Sequence, residues 1–267
     1  MITSNVPFKK LKFPAGELHI QLHDVVGVTK AQVAWEFKDS EDVIELLLYC
    51  NALDEAGYEL ELLEIPYFPF SRQDRVANYG DSFSLKVMCN LINGLNAKRV
   101  VVWDPHSDVL PALLKNCSVI AQETIFAPMI RGLREPVTLI SPDGGALKKI
   151  YKLAKLLPGT EVVECAKKRD TVTGEITGTV VYAEPGSLDH KTCVIVDDIC
   201  DGGRTFIEIA KAIRRFHVPR TIILMVTHGI FSQGLKVFEN HIDELYTRNG
   251  RHVASNLLQD VMIRRAV

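Results

Sequence analysis

A chain of 267 residues with 47% hydrophobic and 24% charged side chains has the balance of a globular protein, long enough for two domains whose cores need no disulfide or metal staple. A formal net charge of −2 gives no electrostatic footprint for a nucleic acid or a membrane surface, so neither partner is expected. The six cysteines, at 50, 89, 117, 165, 193 and 200, form no C-x-x-C pair and no zinc-finger spacing with histidine, which fits reduced thiols in a cytoplasm and speaks against structural zinc.

The opening residues, MITSNVPFKKLKF, carry lysines with no apolar run behind them and are not expected to be a signal peptide. Residues 41–56 and 84–95 place apolar side chains at helical spacing, and Val100-Val101-Val102-Trp103 reads as a strand buried on both faces. In the second half, Val137-Thr138-Leu139-Ile140, Cys193-Val194-Ile195-Val196 and residues 221–226 read as strands, and 146–156 and 205–216 as helices. The apolar runs are far too short to span a bilayer. Continuous apolar strands alternating with amphipathic helices predict an α/β fold of parallel sheets covered by helices. The chain also repeats loosely: a helix, a basic pair or Pro-Arg, and a strand recur around Arg99 and again around Arg220, half a chain apart. This predicts two related domains, residues 1–136 and 137–267, joined around Leu133-Arg134-Glu135-Pro136.

The sharpest motif is Asp197-Asp198-Ile199-Cys200-Asp201-Gly202-Gly203-Arg204-Thr205, read as the end of a buried strand, an acidic glycine turn and the start of a helix. Glycines let backbone N–H groups approach a phosphate, and the helix start adds partial positive charge. Carboxylates beside a phosphate repel it unless they hold ribose hydroxyls or magnesium, so the combination suits a phosphorylated ribose. The plainer alternative is a helix cap with an acidic surface turn.

Arg72-Gln73-Asp74-Arg75 offers two guanidinium groups that can clamp phosphates, although alone it reads as readily as a surface ion-pair turn. His106, after Trp103-Asp104-Pro105, closes a strand at its carboxyl end, where α/β proteins place ligands. Ser141-Pro142-Asp143-Gly144-Gly145 follows another strand in the same way. Residues 164–170, including Lys167-Lys168-Arg169, are expected to be a strand end leading into a mobile basic loop that reaches Gly178, or otherwise a solvated charge run.

Together, from about Phe13 to Gly234, these segments resemble ribose-phosphate diphosphokinase, or phosphoribosyl pyrophosphate (PRPP) synthetase. The resemblance implies two tandem domains of the type I phosphoribosyltransferase fold. It implies magnesium-dependent transfer of the diphosphoryl group of ATP to the C1 hydroxyl of ribose 5-phosphate, with release of AMP. Residues 13–17 resemble the family's F-S-D-G-E, which implies that Phe13 and Glu17 contact the ATP base, in the family from a neighbouring subunit. Arg72, Gln73 and Asp74 match R-Q-D-R on the ATP side, and His106 falls on a histidine linked to magnesium and ATP. Asp143 matches the acid of S-P-D-x-G-G near magnesium, and Lys167 and Arg169 fall on the catalytic K-R-R. Asp197, Asp198, Asp201 and Thr205, with Gly202, Gly203 and Arg204 between them, fall on the ribose-phosphate loop D-D-x-x-D-T-G-G-T. A homo-oligomer, dimer or hexamer, is implied in the same way.

Three departures stand out. Gly202-Gly203-Arg204-Thr205 replaces T-G-G-T, so a threonine is lost and an arginine gained where the 5-phosphate should sit. That opens a second reading, in which the acceptor is extended at its 5′ end, as in ADP-ribose, and uses a roomier turn. Ala15 replaces the aspartate of F-S-D-G-E, and the shorter chain suggests that allosteric regulation by phosphate and ADP is missing. A third reading, a non-catalytic subunit associated with PRPP synthetase, would be expected to lose Lys167, Arg169, Asp197, Asp198 or His106, all of which are present.

Overall fold

The computed structural model describes residues 1–23, 25–133, 135–169 and 176–252. The chain divides into two compact units, Met1–Ala121 and Gln122–Val267.

The first unit contains β1 (Ile2–Ser4), β2 (Phe8–Lys12), β3 (Leu18–Leu22), β4 (Lys30–Trp35), α1 (Ser40–Glu55), β5 (Glu59–Ile65), α2 (Ser84–Gly94), β6 (Val100–Trp103), α3 (Val109–Leu113) and β7 (Cys117–Ile120). Its main sheet has the order β1-β4-β5-β6-β7, parallel from β4 to β7 with β1 antiparallel at one edge. β2 and β3 pair as a separate hairpin. Helix α1 starts where Asp39 accepts the Glu41 and Asp42 N–H groups, an N-cap that contributes about 1 kcal/mol. The helix buries Val43, Leu46, Tyr49 and Leu53 in a core that includes Trp35, Leu63, Ile65, Leu85 and Val102. Each fully buried leucine there stabilises the fold by roughly 1.5–3 kcal/mol. Tyr49 carries its hydroxyl into this core and satisfies it on the Val6 carbonyl at 2.8 Å.

The second unit contains α4 (Gln122–Gly132), β8 (Val137–Ser141), α5 (Leu147–Lys155), β9 (Glu161–Arg169), β10 (Ile176–Val181), β11 (Thr192–Cys200), α6 (Arg204–Phe216), β12 (Thr221–Gly229), a 3₁₀ turn (Lys236–Phe238), β13 (Glu244–Thr247) and β14 (Gly250–His252). The order is β10-β9-β8-β11-β12-β13-β14, with β9 to β13 parallel and both edge strands antiparallel. Strand alternation sends Ile195, Leu224 and Val226 to the face covered by Ile209 and Ile213 of α6. Val194, Val196 and Met225 face Phe126, Ile130, Ile150 and Leu153 of α4 and α5.

The unit boundary falls after Ala121, earlier than the expected 136/137. Phe126, Ala127 and Ile130 decide this, because they share a core with Val137, Leu139 and Ile150. The loose repeat corresponds to a shared succession: β5–α2–β6–β7 in one unit and β11–α6–β12–β13 in the other, each a run of adjacent parallel strands. The C-terminal residues 253–267 lie outside the described part.

Candidate active site

In the second unit the carboxyl ends of β8, β9, β11 and β12 share one edge of the sheet. The acidic pair was expected to end its strand, but β11 continues to Cys200, paired Asp197 to Val226, Ile199 to His228 and Cys200 to Gly229. Buried Ile199 and Cys200 carry the strand on, so the ladder holds both carboxylates rigidly. Asp198 is 6% exposed, and Lys149 of α5 reaches it with Nζ 3.2 Å from Oδ2. Asp197 accepts the Asp198 N–H at 2.9 Å. Burial, then the neighbouring Asp198 carboxylate and Asp143, raise the Asp197 carboxyl well above the ordinary aspartate value.

Asp143 organises the turn after β8. Its Oδ1 accepts the Gly145 and Ala146 N–H groups at 3.0 and 3.3 Å, just before α5, and its carbonyl accepts the Ser141 hydroxyl at 2.9 Å. Its Oδ2 lies 3.7 Å from Lys167 Nζ. This pair is partly exposed and contributes little to stability, so its consequence is positional: it holds Lys167 beside the turn after β8.

Residues 164–169 are a strand end, as expected, with Lys167 and Arg169 among the last residues of β9. The strand pairs antiparallel with β10, Lys167 opposite Thr179 and Arg169 opposite Ile176, so β10 begins at Ile176, before the Gly178 that the loop was expected to reach. The physical reason is the match of Cys165 and Ala166 with Val181 and Val180 across the hairpin. The side chain of Arg169 and residues 170–175 of the expected loop lie outside the described part.

After Cys200 the chain turns through Asp201, Gly202 and Gly203 into α6, whose first helical residue is Arg204. Gly203 has φ 80°, and a Cβ there would lie 2.5 Å from Phe238 Cζ, so conformation and space both demand glycine. Its carbonyl accepts the Phe206 and Ile207 N–H groups at 3.1 Å each. Arg204 is exposed at the positive end of the α6 dipole, with Thr205 half-buried beside it.

The remaining expected site residues lie in the first unit. Phe13 and Glu17 close the β2–β3 hairpin, the Phe13 N–H donating to the Glu17 carbonyl at 2.8 Å, with the Phe13 ring half-exposed. Arg72, Gln73 and Asp74 lie in the long connection from β5 to α2, where the Gln73 carbonyl accepts the Leu85 N–H at 3.2 Å. Arg72 and Gln73 are exposed and Asp74 is half-buried. His106 is exposed just beyond β6, after Asp104, which is buried and has φ 39°.

Thus the second unit brings together Asp143, Lys167, Asp197 and Asp198 with the Asp201–Gly203 turn, and adds Lys149, which sequence reasoning missed. The clue was the phase of α5: buried Ile150 and Leu153 mark the face turned to the sheet, and Lys149 borders it. Phe238, the floor beneath Gly203, left no comparable trace.

Among the described residues no group of three or more His, Cys, Asp or Glu side chains is placed to hold a metal ion by itself. The donors present fit magnesium differently, as one or two hard carboxylate oxygens completing a shell supplied mostly by substrate phosphates and water.

A parallel sheet whose strand ends carry an acidic pair, a glycine turn and a helix start defines a phosphoribosyltransferase-type domain, and residues 108–234 match the phosphoribosyl transferase domain family. A ribose-phosphate pyrophosphokinase of Pyrococcus abyssi is 31% identical over 92% of this chain and 84% of its own length. That of Pyrococcus furiosus is 30% identical over 92% and 86%. The fold matches a phosphoribosylpyrophosphate synthetase structure from Mycobacterium smegmatis with a TM-score of 0.77 at 22% identity, over 91% of this chain and 80% of that one. The chain therefore belongs to the ribose-phosphate pyrophosphokinase family, enzymes that are ATP-dependent diphosphotransferases.

Proposed function

We propose that the protein transfers the diphosphoryl group of ATP to the C1 hydroxyl of ribose 5-phosphate, giving PRPP and AMP. The carrying observation is the acidic glycine turn of the second unit, where Asp197, Asp198 and Asp201 stand beside the start of α6, with Lys149 and Lys167 near the same strand ends. In this reading Asp198, fixed by Lys149, orients the ribose hydroxyls, and Gly202, Gly203, Arg204 and Thr205 take the 5-phosphate on backbone and side-chain donors. The exposed Arg72, Gln73 and His106, with Asp74, belong to ATP, and Phe13 and Glu17 to its base.

The C1 hydroxyl oxygen bonds to the β-phosphorus and releases its proton to solvent, as the bond from that phosphorus to the AMP oxygen breaks and its electron pair leaves with AMP. Charge grows on the transferred and departing oxygens, and Lys167 and Arg169 stabilise it electrostatically. Magnesium would neutralise the phosphate charge, with Asp143 offering a ligand on the ribose-phosphate side and His106 one on the ATP side. The protein works in the cytoplasm as a homo-oligomer, a dimer or hexamer. No helix among the described residues is long and apolar enough to cross a membrane.

The test is incubation with magnesium-ATP and either ribose 5-phosphate or ADP-ribose, with products identified by mass. AMP and a PRPP mass are expected with ribose 5-phosphate. Turnover with ADP-ribose alone would favour the 5′-extended acceptor, for which the exposure of Arg204 is the supporting observation. No AMP with either substrate, in folded and magnesium-replete protein, would mark a non-catalytic regulatory subunit.

A further inference from the structure

We infer that Ser232 and Gln233 form the outer wall of the sugar-phosphate cradle and select an acceptor ending in a phosphate monoester over a 5′-extended ribose. The inference rests on the sugar-phosphate reading of the acidic turn and deepens it.

The segment after β12 is fastened to the end of β11. The Ile230 and Phe231 N–H groups both donate to the Cys200 carbonyl, at 2.8 and 3.2 Å, directly before Asp201. The Gly234 N–H donates to the Phe231 carbonyl at 2.7 Å and closes a tight turn with Ser232 and Gln233 at its tip. Phe231 anchors that turn from below, edge-on to Phe238 with ring centres 5.9 Å apart, and Phe238 is the residue that underlies Gly203. A Cβ at Gly229 would overlap the Phe231 ring, so the strand end is shaped to admit this anchor. The tip is held rigidly against the acidic turn while its two polar side chains stay exposed.

Position 202 shows what the tip does. A Cβ there would meet Gln233 Cγ at 3.6 Å and Ser232 Oγ at 4.0 Å. The room left by the absent side chain is therefore bounded by another loop, and the turn is not roomier for having two glycines. The Ser232 hydroxyl and the Gln233 amide are neutral donors on the residues that border the Gly202 turn, and in this inference a terminal phosphate oxygen accepts from them. A group continuing beyond that phosphate on this side would run into Gln233. Attraction for one ligand and obstruction of the other together set the preference.

The test is calorimetric titration of the full-length, magnesium-replete protein with ribose 5-phosphate and with ADP-ribose, for the wild type, Ser232→Ala and Gln233→Gly. Ser232→Ala is expected to weaken ribose 5-phosphate by about tenfold, one charge-assisted hydrogen bond. Gln233→Gly is expected to tighten ADP-ribose by about fivefold or more, with ATP affinity unchanged in both variants. Unchanged affinities in both variants, or a wild type that binds ADP-ribose as tightly as ribose 5-phosphate, would overturn the inference. A wild type that binds ribose 5-phosphate but releases no AMP overturns the proposed reaction and leaves the wall standing. Absence of any ribose 5-phosphate binding overturns both.

Discussion

The two units build the same frame and then treat one connection in opposite ways. In the first, β5 ends at Ile65 and α2 begins at Ser84, so residues 66–83 form a long excursion from the strand end that carries Arg72, Gln73 and Asp74. In the second, β11 ends at Cys200 and α6 begins at Arg204, and the chain needs only Asp201, Gly202 and Gly203 to turn. A structureless connection as long as the first is uncommon in a compact domain and is usually functional. A tight glycine turn instead presents backbone N–H groups and a helix dipole at close range. In the proposed function the same sheet end serves as a reaching clamp for the nucleotide in one unit and as a fixed cradle for the sugar phosphate in the other.

Five substitutions probe that contrast. The largest effect is expected from Lys167→Ala, which should lower kcat by about 10²–10³ while leaving the KM for ATP nearly unchanged, because the lysine acts on charge that appears in the transition state. Steady-state kinetics decide this, and unchanged kcat would remove Lys167 from the catalytic list. Next, Gly203→Ala should destabilise the second unit by about 2–4 kcal/mol, from a left-handed backbone and overlap with Phe238. Gly57→Ala, at the same φ of about 80° but with open space around it, should destabilise by only about 1 kcal/mol. Denaturant unfolding of both variants compares them, and equal losses would mean that the cradle floor is not packed as described.

Arg72→Ala should raise the KM for ATP by about tenfold and leave ribose 5-phosphate binding unchanged, while an equal loss for both would break the division between the units. The smallest effect has the opposite sign. Asp197 has a raised proton affinity in the folded protein, so the native state binds more protons than the unfolded chain above the ordinary aspartate pKa of 3.8. Stability of the metal-free protein therefore falls as pH rises through the folded value. Asp197→Asn removes that loss, and a melting temperature a few degrees higher at pH 7, with the gain disappearing below about pH 4, is expected.

Much of the frame was legible in the sequence because its signals are local. The run Val194-Ile195-Val196 reads as a strand buried on both faces whatever lies beside it, and the spacing in 41–56 reads as a helix that the structure sets at Ser40–Glu55. The acidic turn was legible for the same reason, since its acids and glycines are contiguous. What escaped depends on distant partners. Strand β11 outruns the carboxylates because β12 continues beside it to Gly229. The loop after Arg169 was expected to reach Gly178, but β10 begins at Ile176 and returns along β9. Lys149 meets Asp198, and Phe238 meets Gly203, across separations that no local pattern encodes. The unit boundary escaped for the same reason, because α4 is committed by packing and not by its own composition.

The most direct test of the division between the units is hydrogen exchange read peptide by peptide, with ribose 5-phosphate and magnesium-ATP added separately. Ribose 5-phosphate is expected to protect residues 198–208 and leave 66–83 unchanged, and magnesium-ATP to protect 66–83. Protection of 66–83 by ribose 5-phosphate, or none at 198–208, would contradict the account.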